Sequence, residues 1–324
     1  MKNTQVIQLM SIVRLSIFML GITMMSCNSK KEQQLPAIGK SVALFDYFSY
    51  KGNDDFYISN PLSGEDYFYN PILPGWYSDP SVCTNGEGDY FLVTSTFTYF
   101  PGVPIFHSKD LVNWKQIGHV LNRASQLVNM EGQKVSGGIF APAISYNPYN
   151  KTYYMVTTNV GAGNFFVKTQ DPFGEWSEPV MLPEVGGIDP SFFFDEDGKA
   201  YIVNNDEAPD NKPEYSGHRT IRIQEFDVKT DKTIGPRKIL VNKGAQPADK
   251  PIWIEGPHLY KINGKYFLMS AEGGTGNWHS EVIFRGDSPM GKFLPWKNNP
   301  ILTQRHLNSD RPNSVTCAGH ADLI

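Results

Sequence analysis

Residues 186–206 read GGIDPSFFFDEDGKAYIVNND. An aspartate, Asp189, heads an aromatic run, a DEDG turn follows, and a second apolar run comes back. Two apolar runs joined by Asn, Asp and Gly are the mark of a β-hairpin. Residues 76–95, WYSDPSVCTNGEGDYFLVTS, repeat the pattern with Asp79 at the head. A carboxylate in front of a greasy strand is therefore a repeated feature.

Aligned on that phrase, the chain gives DPSV at Asp79, APAI at Ala141, DPSF at Asp189, GPHL at Gly256 and HADL at His320, at intervals of 48 to 67 residues. After each of the first four comes a turn and a Tyr- or Phe-rich run: GEGDYFLVTS, NKTYYMVTT, DGKAYIVNN and NGKYFLMSA. Third runs follow (VPIFHSKD, NFFVKTQD, TIRIQEFD, SEVIFRGD), then short fourth ones (KQIGHVL, SEPVMLP, RKILVN, NNPILTQ). Quartets of antiparallel strands at this spacing predict an all-β fold, a β-propeller whose blades pack face to face round a central channel. Five phrase starts predict a five-bladed β-propeller with four blades complete and the fifth only begun. A β-sandwich would not restart each quartet with one phrase. The abundance of Gly (29) and Pro (23) suits short strands joined by tight turns.

In a propeller the first strand of each blade lines the channel, so polar residues at its head converge on one mouth. That brings together Asp79, Asp189 and Glu255 of WIEGPHLYK, expected at equivalent points of three blades, with His320 from the fifth phrase. Acids crowded in one partly desolvated cavity raise the pKa of at least one of them and so acquire separate roles. One can then give a proton to a leaving oxygen while another, ionised, activates water. Taken singly each has a plainer reading: an Asp before Pro caps a turn, and a lone His is a hydrogen-bonded core residue.

The formal net charge of -4, with cations scattered, excludes nucleic acid as a partner, because phosphate binding needs a concentrated basic face. Lys2 and Arg14 precede the apolar stretch LSIFMLGITMM, too short to span a bilayer and followed by Ser26 and Cys27. TMMSCNSKKEQQ resembles a bacterial lipoprotein signal, with Met24 where leucine is usual. It implies an exported protein, periplasmic or anchored to the outer membrane, that touches a membrane only through a lipid on Cys27. An ordinary secretory signal is the alternative. The expected layout is a signal over 1–27, a tether and N-terminal extension over 28–65, and a propeller domain over 66–324. The remaining Cys83 and Cys317 make no disulfide framework or zinc spacing and read as small apolar residues.

From about Tyr69 onward, LPGWYSDPSV, STFTYFPGVPIFHSKDLVNW, SGGIFAPAISY, GGIDPSFFFDEDGKAYIVN, IEGPHLYKINGKYFL, AEGGTG, NPILTQR and AGHADL occur in order. Together they resemble family-43 glycoside hydrolases, especially the β-xylosidase and α-L-arabinofuranosidase members. The resemblance implies inversion at the anomeric carbon, with Asp79 as general base, Glu255 as general acid and Asp189 modulating and orienting Glu255. It also implies sugar contacts from Phe97, Phe140 (where many such β-xylosidases carry tryptophan), Thr275 and His320. For the two phenylalanines, packing between blades is the competing role. Trp278 and His279 of GNWHSEVIFR fall near the pocket rim. The implied substrate is a plant cell-wall oligosaccharide, trimmed of terminal xylose or arabinofuranose. No cofactor is required, though the family leaves room for a structural calcium in the channel. A loop around Phe97 argues against an endo-acting arabinanase, and the three acids argue against a non-catalytic surface glycan-binding propeller. Because such members continue past GHADL, this chain is expected to be an interrupted form of a longer enzyme. Residues 316–324 would be an open strand edge, leaving it prone to aggregate.

Overall fold

The structure, a computed structural model, describes residues 55–324. The expected signal and tether, with Cys27, lie outside the described residues. The first compact unit, Met1–Pro61, contributes one described element, the short helix α1 (Asp55–Ser59). Among the described residues no helix is long and apolar enough to cross a membrane.

The second unit, Leu62–Ile324, is all-β. Its first sheet runs β1 (Ser81–Thr84), β2 (Tyr90–Val93), β3 (Gly102–Ser108) and β4 (Lys115–Leu121). The second runs β5 (Ile139–Asn147), β6 (Thr152–Asn159), β7 (Gly163–Thr169) and β8 (Val180–Met181). The third comprises β9 (Ile188–Phe194), β10 (Ala200–Glu207), β11 (Arg219–Asp227) and β12 (Lys232–Asn242). In the fourth, β13 (Glu255–Ile262), β14 (Lys265–Glu272) and β15 (Ser280–Gly286) are followed by β16 (Leu294–Pro295) and β17 (Leu302–Thr303), both paired to β15. Every pairing is antiparallel between neighbours in sequence except β15 with β17, so these are four propeller blades. β17 falls inside the expected NNPILTQ run, whereas β16 has no counterpart in the sequence pattern.

Strand bodies are apolar because both faces are buried. Along β6, Tyr153 and Met155 join Phe91, Val93 and Ile105 of the first blade, while Tyr154 and Val156 join Phe192 and Ile202 of the third. β10 repeats the alternation: Ala200 and Ile202 face the second blade, and Tyr201 and Val203 pack with Leu259, Leu268 and Phe284 of the fourth. Period-two alternation between two apolar seams reads in sequence as a continuous apolar run. Fully burying a side chain of this kind contributes about 1.5–3 kcal/mol, so the seams rather than the short outer strands hold the ring together. Cys83 is part of one seam and Cys317 is half-buried; both are free thiols.

The phrase that opens each repeat has a shared backbone. Asp79, Ala141, Asp189, Gly256 and His320 all have positive φ, at 52°, 31°, 53°, 53° and 56°. The five-fold repeat seen in the sequence is thus a five-fold repeat of one left-handed residue. Around the fifth phrase the chain departs from expectation. Residues 316–324 form no strand, because no neighbouring strand offers them a ladder among the described residues. Side chains hold the segment instead. Asp322 Oδ2 accepts Ser81 Oγ–H (2.7 Å) and Val82 N–H (3.0 Å) from the first blade, and Oδ1 accepts Tyr260 Oη–H (2.5 Å) from the fourth.

Candidate active site

Asp79 stands immediately before β1. Ser95 Oγ–H donates to Asp79 Oδ2 (2.5 Å) and itself accepts Ala141 N–H (2.7 Å), so one hydroxyl ties the carboxylate to the second blade. His320 Nδ1 lies 3.5 Å from Asp79 Oδ1. Asp189 is buried in β9. Its N–H donates to Thr158 Oγ1 (3.1 Å), and its Oδ2 accepts Gly256 N–H (3.1 Å) from the fourth blade. Asp79, Asp189, Gly256, His258 and His320 line one small cavity on the channel axis.

Glu255 departs from the expected equivalence. The left-handed position of the fourth blade belongs to Gly256, and Glu255 precedes it by one residue. Gly256 is required there for two reasons. Its φ is that of a left-handed residue, and a Cβ would come within 2.5 Å of His320 Nε2. The carboxylate of Glu255 lies outside the small cavity, yet close enough to both aspartates to feel their charges.

Burial first, then the charges of Asp189 and Asp79, push Glu255 up to about 8, against the opposing pull of the Arg219 guanidinium. Burial also leads in raising Asp189 to about 6, with Asp79 adding to it and His320 and the Gly256 N–H opposing. Of the two causes expected from sequence, desolvation is thus the larger and like-charge repulsion the second. A carboxyl raised this far favours its protonated form at neutral pH.

Residues close in sequence to Asp79 and Ser95 form an aromatic cluster with Phe140. Trp76 stacks on Phe97 (5.4 Å between centroids, 13° between planes), and Phe140 meets Phe97 edge-on (5.7 Å, 72°). Phe97 and Ile139 pair through reciprocal backbone hydrogen bonds of 2.9 Å. Gly138 permits the approach, since a Cβ there would collide with the Phe97 carbonyl oxygen. Phe97 and Phe140 are thus brought together as packing partners, and neither lines the small cavity of Asp79 and Asp189. Thr275 is exposed in the turn between β14 and β15, apart from the cavity of Asp79 and Asp189. Ser95, Trp76 and His258 were not singled out from sequence. All three could have been sought in the motifs STFTYFPG, LPGWYSDPSV and IEGPHLYK that contain them.

Among the described residues no group of three or more His, Cys, Asp or Glu is arranged to hold a metal ion. Calcium takes six to eight oxygen ligands, and the Asp322 oxygens are already engaged by Ser81 Oγ–H, Val82 N–H and Tyr260 Oη–H.

The family model described as glycosyl hydrolases family 43 matches residues 68–324. The chain belongs to this family. A xylosidase/arabinosidase of Butyrivibrio fibrisolvens is 48% identical over 258 residues, covering 79% of this chain and 48% of the relative. A non-reducing end alpha-L-arabinofuranosidase of Bacteroides ovatus is 40% identical over 275 residues, 83% of this chain and 47% of the relative. A crystal structure of a GH43_12 protein from a capybara gut metagenome superposes with a TM-score of 0.79 at 55% identity, over 84% of this chain and 50% of that one. The chain spans about half the length of the curated relatives it matches.

Proposed function

We propose that this family 43 chain is an exo-acting glycosidase that releases a terminal pentose, β-D-xylose in the first place, from cell-wall oligosaccharides with inversion. Glu255 protonates the glycosidic oxygen, Asp79 takes a proton from the attacking water, and Asp189 tunes and orients the acid. The observation that carries this is the meeting of carboxylates from separate blades at one channel mouth, with Glu255 kept protonated by burial and by its neighbours' charges. Inversion needs about 6.5–9.5 Å between acid and base so that water fits between them, a spacing that carboxylates on separate blades can supply. The cluster of Trp76, Phe97 and Phe140 offers an apolar surface of the kind on which a terminal sugar stacks.

A second reading, α-L-arabinofuranose as the preferred sugar, is favoured by the name of the Bacteroides ovatus relative. Aryl β-D-xyloside and aryl α-L-arabinofuranoside assayed side by side test both. The xyloside is expected to turn over faster, with α-xylose the first anomer seen by proton NMR. A faster arabinofuranoside would transfer the assignment, and release of neither sugar would remove it.

The pH profile carries a sign. Glu255 acts only while protonated, so the rate falls as pH rises through its raised pKa, about 8. Asp189→Asn removes a charge that holds that pKa up, so the alkaline limb is expected to move to lower pH. Because burial remains the larger cause, the limb should stay above the ordinary carboxylate range. A limb that does not move would make Asp189 a substrate contact or a structural cap instead.

A further inference from the structure

The segment that carries His320 has no strand beside it among the described residues, yet its backbone N–H groups must find acceptors. Glu281, on β15, supplies them. Its carboxylate accepts the Ala321 N–H at Oε2 (3.0 Å) and also bonds the His320 N–H. Next to β15, His279 bonds the Cys317 carbonyl through Nδ1 (3.1 Å), and Gly319 lies so close that a Cβ would come within 2.9 Å of the His279 ring. Both side chains are buried, Glu281 to 1% exposure and His279 to 7%.

Nothing in the chemistry above uses Glu281, and burying a carboxylate is costly unless it is well bonded. Its Oε1 is buried with no partner, so the backbone bonds at residues 320 and 321 are the principal return on that burial. Register adds a second observation. Glu281 pairs with Ala271, and Ala271 pairs with Glu255, so Glu281 lies on the same rung as the proposed proton donor, two strands away. At strand spacings of about 4.8 Å, the two acids are roughly 10 Å apart along that rung.

We infer that Glu281 is a positioning residue: by gripping the backbone of His320 and Ala321 it sets the His320 imidazole against Asp79 and over Gly256. The inference rests on the reading of Asp79 as the base only for its effect on rate. Its geometric content stands apart from that reading. An oxygen acceptor at this place is what the two backbone N–H groups require, and an apolar side chain would leave them unpaired. Burial also raises the Glu281 carboxyl, with Asp322 adding to the rise and the two backbone bonds opposing it.

The test compares Glu281→Leu, Glu281→Gln and wild type in the full chain, with melting temperature measured alongside. The imidazole resonances of His320, assigned by their loss in His320→Gln, are recorded at one pH by proton–nitrogen NMR. Glu281→Leu is expected to shift them and to lower kcat/KM on an aryl β-D-xyloside by up to about 100-fold, the scale of a 1 Å misplacement. Glu281→Gln, which keeps one acceptor oxygen, should recover much of both. If Glu281→Leu does not fold, Glu281→Asp, shorter by one methylene, takes its place with the same readouts. His320 resonances identical to wild type would overturn the proposal, leaving Glu281 a structural clamp. A chain that hydrolyses no pentoside would defeat the functional reading alone, since the NMR shift still decides the positioning.

Discussion

Glu255→Gln is expected to lower turnover of natural oligosaccharides by about 100- to 10,000-fold while sparing aryl glycosides with good leaving groups. The physical reason lies in the leaving oxygen. An alkoxide must be protonated as it departs, whereas a nitrophenolate is stable without a proton. Glutamine keeps the size and much of the hydrogen bonding of Glu255 but has no proton to give. The pH profile supplies an independent check on the aryl substrate. The alkaline limb set by Glu255 near 8 should disappear in the variant, because the group that titrates there is gone. Kinetics on both substrates decide the matter: equal losses on each would take Glu255 out of the role of acid.

Asp79→Asn is expected to behave differently. Activating water is needed whatever the leaving group, so a loss of about 100- to 10,000-fold should appear on aryl and natural substrates alike. The substitution is nearly isosteric, and the Ser95 hydroxyl can still donate to the amide oxygen at the former Oδ2 position, so the fold should be kept. A melting curve close to wild type together with lost turnover is the expected pair of results. Substantial activity in Asp79→Asn would leave the base unassigned. Small exogenous anions such as azide offer a further reading, since they can replace water without needing a base, and restored turnover would locate the defect at proton abstraction.

Much of this was legible in the chain because the propeller writes its repeat locally. Each turn and each apolar run sits within a few residues of its partner, so β1 to β15 and the heads Asp79 and Asp189 could be read from phrase and period. What escaped was non-local. Asp322 bonds Ser81 across 241 positions, and Glu281 meets Ala321 across 40, with no motif to announce either. The expectation that residues 316–324 form a strand failed for the same reason. Strand propensity cannot make a strand without a neighbour, and here side chains took the place of a ladder. The one-residue offset of Glu255 is already visible in the sequence, where the fourth phrase opens at Gly256, but its backbone cause is not.

The left-handed residue at the head of each repeat bears on how such a ring can change. Positive φ is unfavourable for most side chains, and Gly, Asp, Asn and His are the types that enter the region most readily. The occupants here are Asp79, Ala141, Asp189, Gly256 and His320. Four of the five are therefore residues that the backbone already tolerates, and three of those four also carry a titratable group. Glutamate is not among the tolerated types, and Glu255 stands beside the position rather than on it. At most sites a reactive side chain is held at some expense of stability. On this ring the conformational demand and the chemical demand select the same small set of residues, so that trade-off is relaxed where the proposed chemistry is concentrated.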